Sequence, residues 1–256
     1  MKIKSQKHSP LKAKPLRNPG QSLDDQIHNI ISEDLASYIA CAIFMFPVAI
    51  YDWYRWYNPK PINPWLTTIT AFIFLTVFVY KWITLRRKIK RLRMARDGEK
   101  AVGQYLEGLR EKGYKVLHDI VSDSFNIDHI VICTKGIFLI DTKTISKKDK
   151  DDQITFDGKT VLINGYKPDR DPVRQVTALS SWLKEKICEI TGKEMFIRPV
   201  VAFPGWFVKM DLKYQTNVWV LSAKALPRFI EKQPDILESP MVHLITSHLT
   251  RYIRTL

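Results

Sequence analysis

An α/β domain built around a mixed sheet, preceded by a helical membrane hairpin, is what this chain of 256 residues predicts. Three observations carry that reading. Two long stretches near the N-terminus hold no charged residue. Between residues 126 and 143, two apolar runs flank a Lys135-Gly136 turn, the mark of a β-hairpin. Apolar residues at helical spacing precede and follow those strands, and the order helix, strands, helix, strand is that of helices laid on a mixed sheet.

Charge narrows the partners. The formal charge is +14, which points to nucleic acid or an anionic membrane. Residues 1–96 carry 16 Lys or Arg and 5 Asp or Glu, while residues 97–256 carry 24 and 21. The excess therefore flanks the apolar stretches and reads as membrane topology before nucleic-acid binding. Cys41, Cys133 and Cys188 are odd in number and share no metal-ligand spacing. They exclude a disulfide framework and fit a reducing compartment.

Taken in order, residues 1–33 form a basic arm whose scattered Lys and Pro10, Pro15 and Pro19 predict disorder. Residues 34–88 form the hairpin, with spans at about 35–54 and 64–85. Leu35–Tyr51 is uncharged over 17 residues and Pro61–Tyr80 over 20, against the roughly 20 that a spanning helix needs. The first run is at the short end and contains Pro47. Tyr51, Trp53, Tyr54, Trp56, Trp65, Tyr80 and Trp82 edge the runs as an aromatic belt. The loop holds Arg55 and Lys60, whereas Arg86, Arg87, Lys88, Lys90, Arg91, Arg93 and Arg96 follow the second run. The positive-inside rule then puts both termini and the following domain in the cytoplasm, as at a prokaryotic inner membrane, with residues 35–85 in the lipid bilayer. The competing reading is a buried hairpin of a soluble protein. Core helices rarely run so far without a charge, and a second apolar run argues against a cleaved signal peptide.

The domain itself spans residues 97–225. Val102, Tyr105, Leu106 and Leu109 predict a helix opened by Asp97-Gly-Glu99 and stopped at Gly113. Strands are expected at Tyr114–Ile120, Ile127–Thr134 and Ile137–Asp141. A polar Lys/Asp loop follows, with Lys147, Lys148 and Lys150. Gln153–Ile163 reads as a hairpin with an Asp157-Gly158 turn. After Pro168–Pro172, the spacing of Val176, Leu179, Leu183 and Ile187 predicts a second helix. Arg198–Phe203 and Val218–Leu221 read as strands. Residues 226–256 form a helical extension interrupted at Pro227, Pro234 and Pro240.

The chemistry concentrates in one place. Asp128 starts one strand and Asp141 and Lys143 end the next, and those ends lie together in an antiparallel pair. Asp141 and Lys143 are two apart and leave the same face. Two carboxylates and an amine so converged suit a metal-dependent phosphodiester-cutting site. Asp141-Thr-Lys143 alone would be an ordinary strand-end charge pair. His129 points to the opposite face and reads as a packed histidine, and Trp182 and Trp206 as packing residues. There is no phosphate-cradling Gly loop and no Ser-His-Asp arrangement.

These residues resemble the nuclease-related domain family, NERD, over roughly residues 97–225. The carriers are Gly98-Glu99, Ile127-Asp128-His129-Ile130-Val131, Gly136–Ile140 followed by Asp141-Thr142-Lys143, and Asp171-Pro172-Val173-Arg174-Gln175. The family is similar to the PD-(D/E)xK nucleases. The resemblance implies a restriction-endonuclease-like αβββαβ core with a divalent metal, Mg²⁺ or Mn²⁺, at the strand ends. It implies Asp128 and Asp141 as metal ligands, Glu99 as a further metal or water ligand, Lys143 as the cation that stabilises charge or deprotonates water, and Gln175 as the group that orients phosphate or water. The second acid is Asp where the family more often has Glu. The expected protein is a membrane-anchored, cytoplasm-facing nuclease acting on DNA, with RNA the second choice. A piece beginning at residue 91 is expected to keep that activity. The alternative is a non-catalytic nucleic-acid- or protein-binding module tethered to the membrane.

Overall fold

The computed structural model describes residues 16–58, 65–122, 125–147, 149, 151–211 and 213–255. The expectations for the arm before residue 16, and for Lys60, Lys148 and Lys150, lie outside these. The chain divides into two units, Ser22–Arg96 and a second made of Met1–Gln21 with Asp97–Leu256.

In the first unit, α1 (Gln21–Asn29) runs through a π-helical turn (Ile30–Leu35) into α2 (Ala36–Trp56). The second part of the segment read as a disordered arm is thus helical. Its apolar side chains Ile27 and Ile30 are buried, and Asp24 pairs with Arg96 at 2.8 Å. Pro47 lies inside α2 without ending it. Next comes α3 (Trp65–Glu111), 47 residues long. The sequence suggested a separate helix starting near Asp97. The stretch before it is rich in Leu, Arg, Lys and Met, all strong helix formers, so nothing stops the helix there.

Two helices, Gln21–Trp56 and Thr68–Glu111, are long and apolar enough to cross a membrane. Their apolar windows bury nothing within the chain, unlike a soluble core hairpin: Phe44 is 71% exposed and Phe72 70%. Trp53 donates to Thr68 Oγ1 at 3.0 Å, and Lys81 sits 5.9 Å from the Tyr38 ring centre, joining α2 to α3.

The second unit is a mixed α/β structure. Its main sheet contains β1 (Lys115–Val121), β2 (Asn126–Cys133) and β3 (Gly136–Thr142), each antiparallel to the next. A smaller sheet begins with β4 (Gln153–Phe156) and β5 (Val161–Ile163). Then come α4 (Pro172–Thr191), β6 (Ile197–Phe203), β7 (Phe207–Met210) and β8 (Trp219–Ser222). The main sheet has the order β1-β2-β3-β6-β8, with β6 parallel to β3 and β8 parallel to β6. The chain ends in α5 (Leu226–Glu231) and α6 (Ser239–Thr255).

Val102, Leu106 and Leu109 of α3 cover one sheet face, against Val131, Phe138 and Val200. Val176, Leu183 and Ile187 of α4 and Ile245 of α6 cover the other, against Ile130, Leu139 and Val201. Burial on both faces explains why β3 is apolar at nearly every position.

Three local expectations change. The β4–β5 connection is a four-residue loop in which Asp157 Oδ1 accepts from Lys159 N and Thr160 N. That Asp-centred turn replaces the two-residue Asp157-Gly158 turn. Pro227 and Pro240 stand in the first turns of α5 and α6, where a missing N–H costs nothing, so they start these helices and do not interrupt them. β7 was not foreseen: it joins β4 in parallel, a pairing its short, half-exposed pattern does not announce. All three cysteines are free thiols.

Candidate functional site

The β2–β3 register pairs His129 with Ile140. One step further, Asp128 stands level with Asp141 at the strand ends. The pairing is locked by the acid itself: Asp128 Oδ2 accepts from the backbone N–H of Thr142 at 2.6 Å. Asp141 Oδ2 lies 2.8 Å from Lys143 Nζ. The same ammonium donates to Gln175 Oε1 at 3.0 Å. Gln175 is in the first turn of α4, whose N-cap Asp171 accepts from Val173 N and Arg174 N.

Glu99 enters from α3. Gly98 makes this approach possible, because α3 passes so close to Thr144 that a Cβ at position 98 would collide with its Oγ1. All three acids are buried, Asp128 at 8% exposure, Glu99 at 6% and Asp141 at 3%. Glu99 Oε2 has no hydrogen-bond partner among the described residues. Burial first, then Asp119 and Asp141, pushes the Glu99 carboxyl up from 4.5 to about 7. Burial, Asp141 and Glu99 hold Asp128 well above the usual carboxylate range. Burial also raises Asp141, against the pull of Lys143. Asp141 thus bears on both Asp128 and Glu99, and Glu99 on Asp128, a repulsion that a nearby cation would relieve.

Carboxylate oxygens are the ligands a hard divalent ion takes. Among the described residues, no three His, Cys, Asp or Glu side chains converge closely enough to hold an ion as they stand. Asp128 is turned to the Thr142 amide and Asp141 to the Lys143 ammonium.

The structure adds groups that sequence reasoning missed. Asp119 in β1 is fully buried and has a left-handed backbone, φ 51°. Its neighbours pair His118 with His129 and Ile120 with Ile127, so it lies opposite Asp128. Arg17 approaches Asp119 at 2.7 Å, and the backbone of Gly20 hydrogen-bonds Glu99. Pro19 packs on α3 where a Cβ at Gly103 would collide. The available signal was Asp119 itself, an acid inside an apolar strand run. Nothing local marks Arg17.

The remaining candidates are packing groups. His129 is fully buried, its Nδ1 2.8 Å from His118 Nδ1, and burial lowers the pKa of both rings. Trp182 packs edge-on against Phe125, and Trp206 is buried and donates to Ile145 O. Lys147 lies over the Trp206 ring.

Residues 95–204 match the model of NERD, the nuclease-related domain. The resemblance carried by the Gly98-Glu99, Asp128, Asp141-Thr-Lys143 and Asp171–Gln175 segments is thereby shown over those residues. No curated protein and no solved structure matches the chain.

Proposed function

Starting from a chain whose residues 95–204 are a nuclease-related domain, we propose a metal-dependent nuclease, anchored in a membrane and facing the cytoplasm. It hydrolyses phosphodiester bonds in DNA, with RNA the second choice of substrate. The observation that carries this is the buried trio Glu99, Asp128 and Asp141 beside a lysine held by Gln175. The order α3, β1–β3, α4, β6 supports an αβββαβ core of the restriction-endonuclease kind. Exposed apolar helices followed by a basic collar support the anchor.

Asp128, Asp141 and Glu99 would hold Mg²⁺ or Mn²⁺. When bound, such an ion supplies positive charge to the phosphate and acidifies a bound water. The chain's own groups do the rest. Lys143 donates to a phosphate oxygen as negative charge builds there. Gln175 Oε1 and Asp141 hold the ammonium in place, sparing reorganisation at the moment of reaction.

A tethered, non-catalytic binding module is the second reading, favoured by the absence of a converged ligand trio among the described residues. The full chain, solubilised in neutral detergent, should be offered plasmid, linear duplex, single-stranded DNA and RNA with Mg²⁺ or Mn²⁺, then with EDTA. Metal-dependent cleavage is expected, reduced on the order of a hundredfold or more by Lys143→Ala or Asp128→Ala. A folded chain that cleaves nothing and melts at the same temperature with or without Mg²⁺ would replace the nuclease with the binding module.

A further inference from the structure

Within the first unit, α3 and the π-helical turn line an open cavity of about 620 Å³, within the roughly 300–1,000 Å³ usual for ligand sites. One part of its wall is apolar: Ile31 and Leu35 from the π-turn, Leu85 and Ile89 from α3. The other part is basic: Arg86, Lys90 and Arg93. These three are spaced by four and three residues and so share one face of α3. No ion pair engages them among the described residues. Glu33 and Asp34, on the same π-turn, do not line the cavity. Trp82 also lines it, two residues past the uncharged run that ends at Tyr80. The π-turn matters geometrically, because i→i+5 bonding widens the helix where Ile31 and Leu35 face the cavity.

We propose that this cavity binds one anionic phospholipid. Its headgroup phosphate lies on Arg86, Lys90 and Arg93, an acyl chain runs along Ile31, Leu35, Leu85 and Ile89, and Trp82 sits at the level of the headgroups. The assignment rests on the reading that α2 and α3 cross the membrane. Charge complementarity selects the ligand: three unpaired cations converge where a phosphodiester anion lies in a bilayer, and guanidinium groups grip phosphate oxygens in pairs. The apolar wall selects a lipid over a free anion. Water would otherwise have to fill an apolar recess at the end of a hydrophobic span.

The test uses the full chain in neutral detergent, titrated with phosphatidylglycerol or phosphatidylcholine, with lipid adducts read by native mass spectrometry. One phosphatidylglycerol per chain is expected, held on the order of tenfold or more tighter than phosphatidylcholine. Arg86→Gln/Lys90→Gln/Arg93→Gln should lose that preference. The control Arg87→Gln/Lys88→Gln/Arg91→Gln removes the same charge from other positions of the same helix and should keep it. Equal loss in both triples, checked for equal helicity by circular dichroism, would reduce the site to a diffuse basic collar. Displacement of the lipid by inorganic phosphate alone would make it a simple anion site. Either result overturns the proposal. Alkaline carbonate extraction separates the two levels. A chain released from membranes overturns the anchor and the lipid site together. A chain that is retained but shows no lipid preference overturns only the lipid site.

Discussion

Burial turns the acids into proton-linked groups. Below about 4.5 Glu99 is protonated whether the chain is folded or not, and above about 7 it is ionised in both states. Between those values the folded chain holds a proton that the unfolded chain has released. Glu99 therefore makes stability fall as pH rises through that window. The neutral His118–His129 pair acts oppositely below 6.5, since folding there forbids the protons that unfolded histidines bind. The informative quantity is thus the difference between wild type and Glu99→Gln. Without divalent ions, the wild-type melting temperature should decline from pH 5 to pH 8 relative to the variant. At pH 8, Mg²⁺ should raise the melting temperature of the wild type more than that of the variant. Parallel pH profiles would remove Glu99 from the account.

Elements act here by where they start. α4 begins on Asp171, whose carboxylate caps Val173 and Arg174, with Pro172 pre-set in the first turn. Gly192, left-handed at φ 67°, closes it. This cap also places Gln175 against Lys143. Asp171→Ala should cost about 1 kcal/mol of stability and loosen the lysine's partner, lowering cleavage at constant metal affinity. Asp171→Asn, which still caps, should preserve both. Equal stability in the two variants, by thermal melting, would mean that the cap does not hold the helix start.

At the scale of the molecule, the chain returns to its own site. Residues 16–20 belong to the unit that contains the sheet, and they bring Arg17 to Asp119 and Gly20 to Glu99. A piece beginning at residue 91 lacks both contacts. Arg17→Ala in the full chain should destabilise the sheet-containing unit by roughly 1–3 kcal/mol, because Asp119 is fully buried. Arg17→Lys should recover part of that loss. Hydrogen exchange of the β1 amides reads the effect, and unchanged protection in Arg17→Ala would show that the ion pair holds nothing.

The sequence by itself determined what short-range spacing encodes. An alternation of two residues put Asp141 and Lys143 on one face, and a two-residue turn brought Asp128 level with them. Uncharged runs marked the helices that can cross a membrane, and the residues around Asp128, Asp141 and Asp171 marked the nuclease-related domain. Only the tertiary structure decided what distant segments share. It joined the second apolar run to the first helix of the domain and paired β7 with β4. It set Asp119 opposite Asp128 and carried Arg17 to the acids. It also buried Glu99 deeply enough to raise its carboxyl to about 7. Local dihedral and periodicity rules operate over a few residues, and pattern reveals them. Burial and charge coupling depend on which remote surfaces meet, and no local spacing records that.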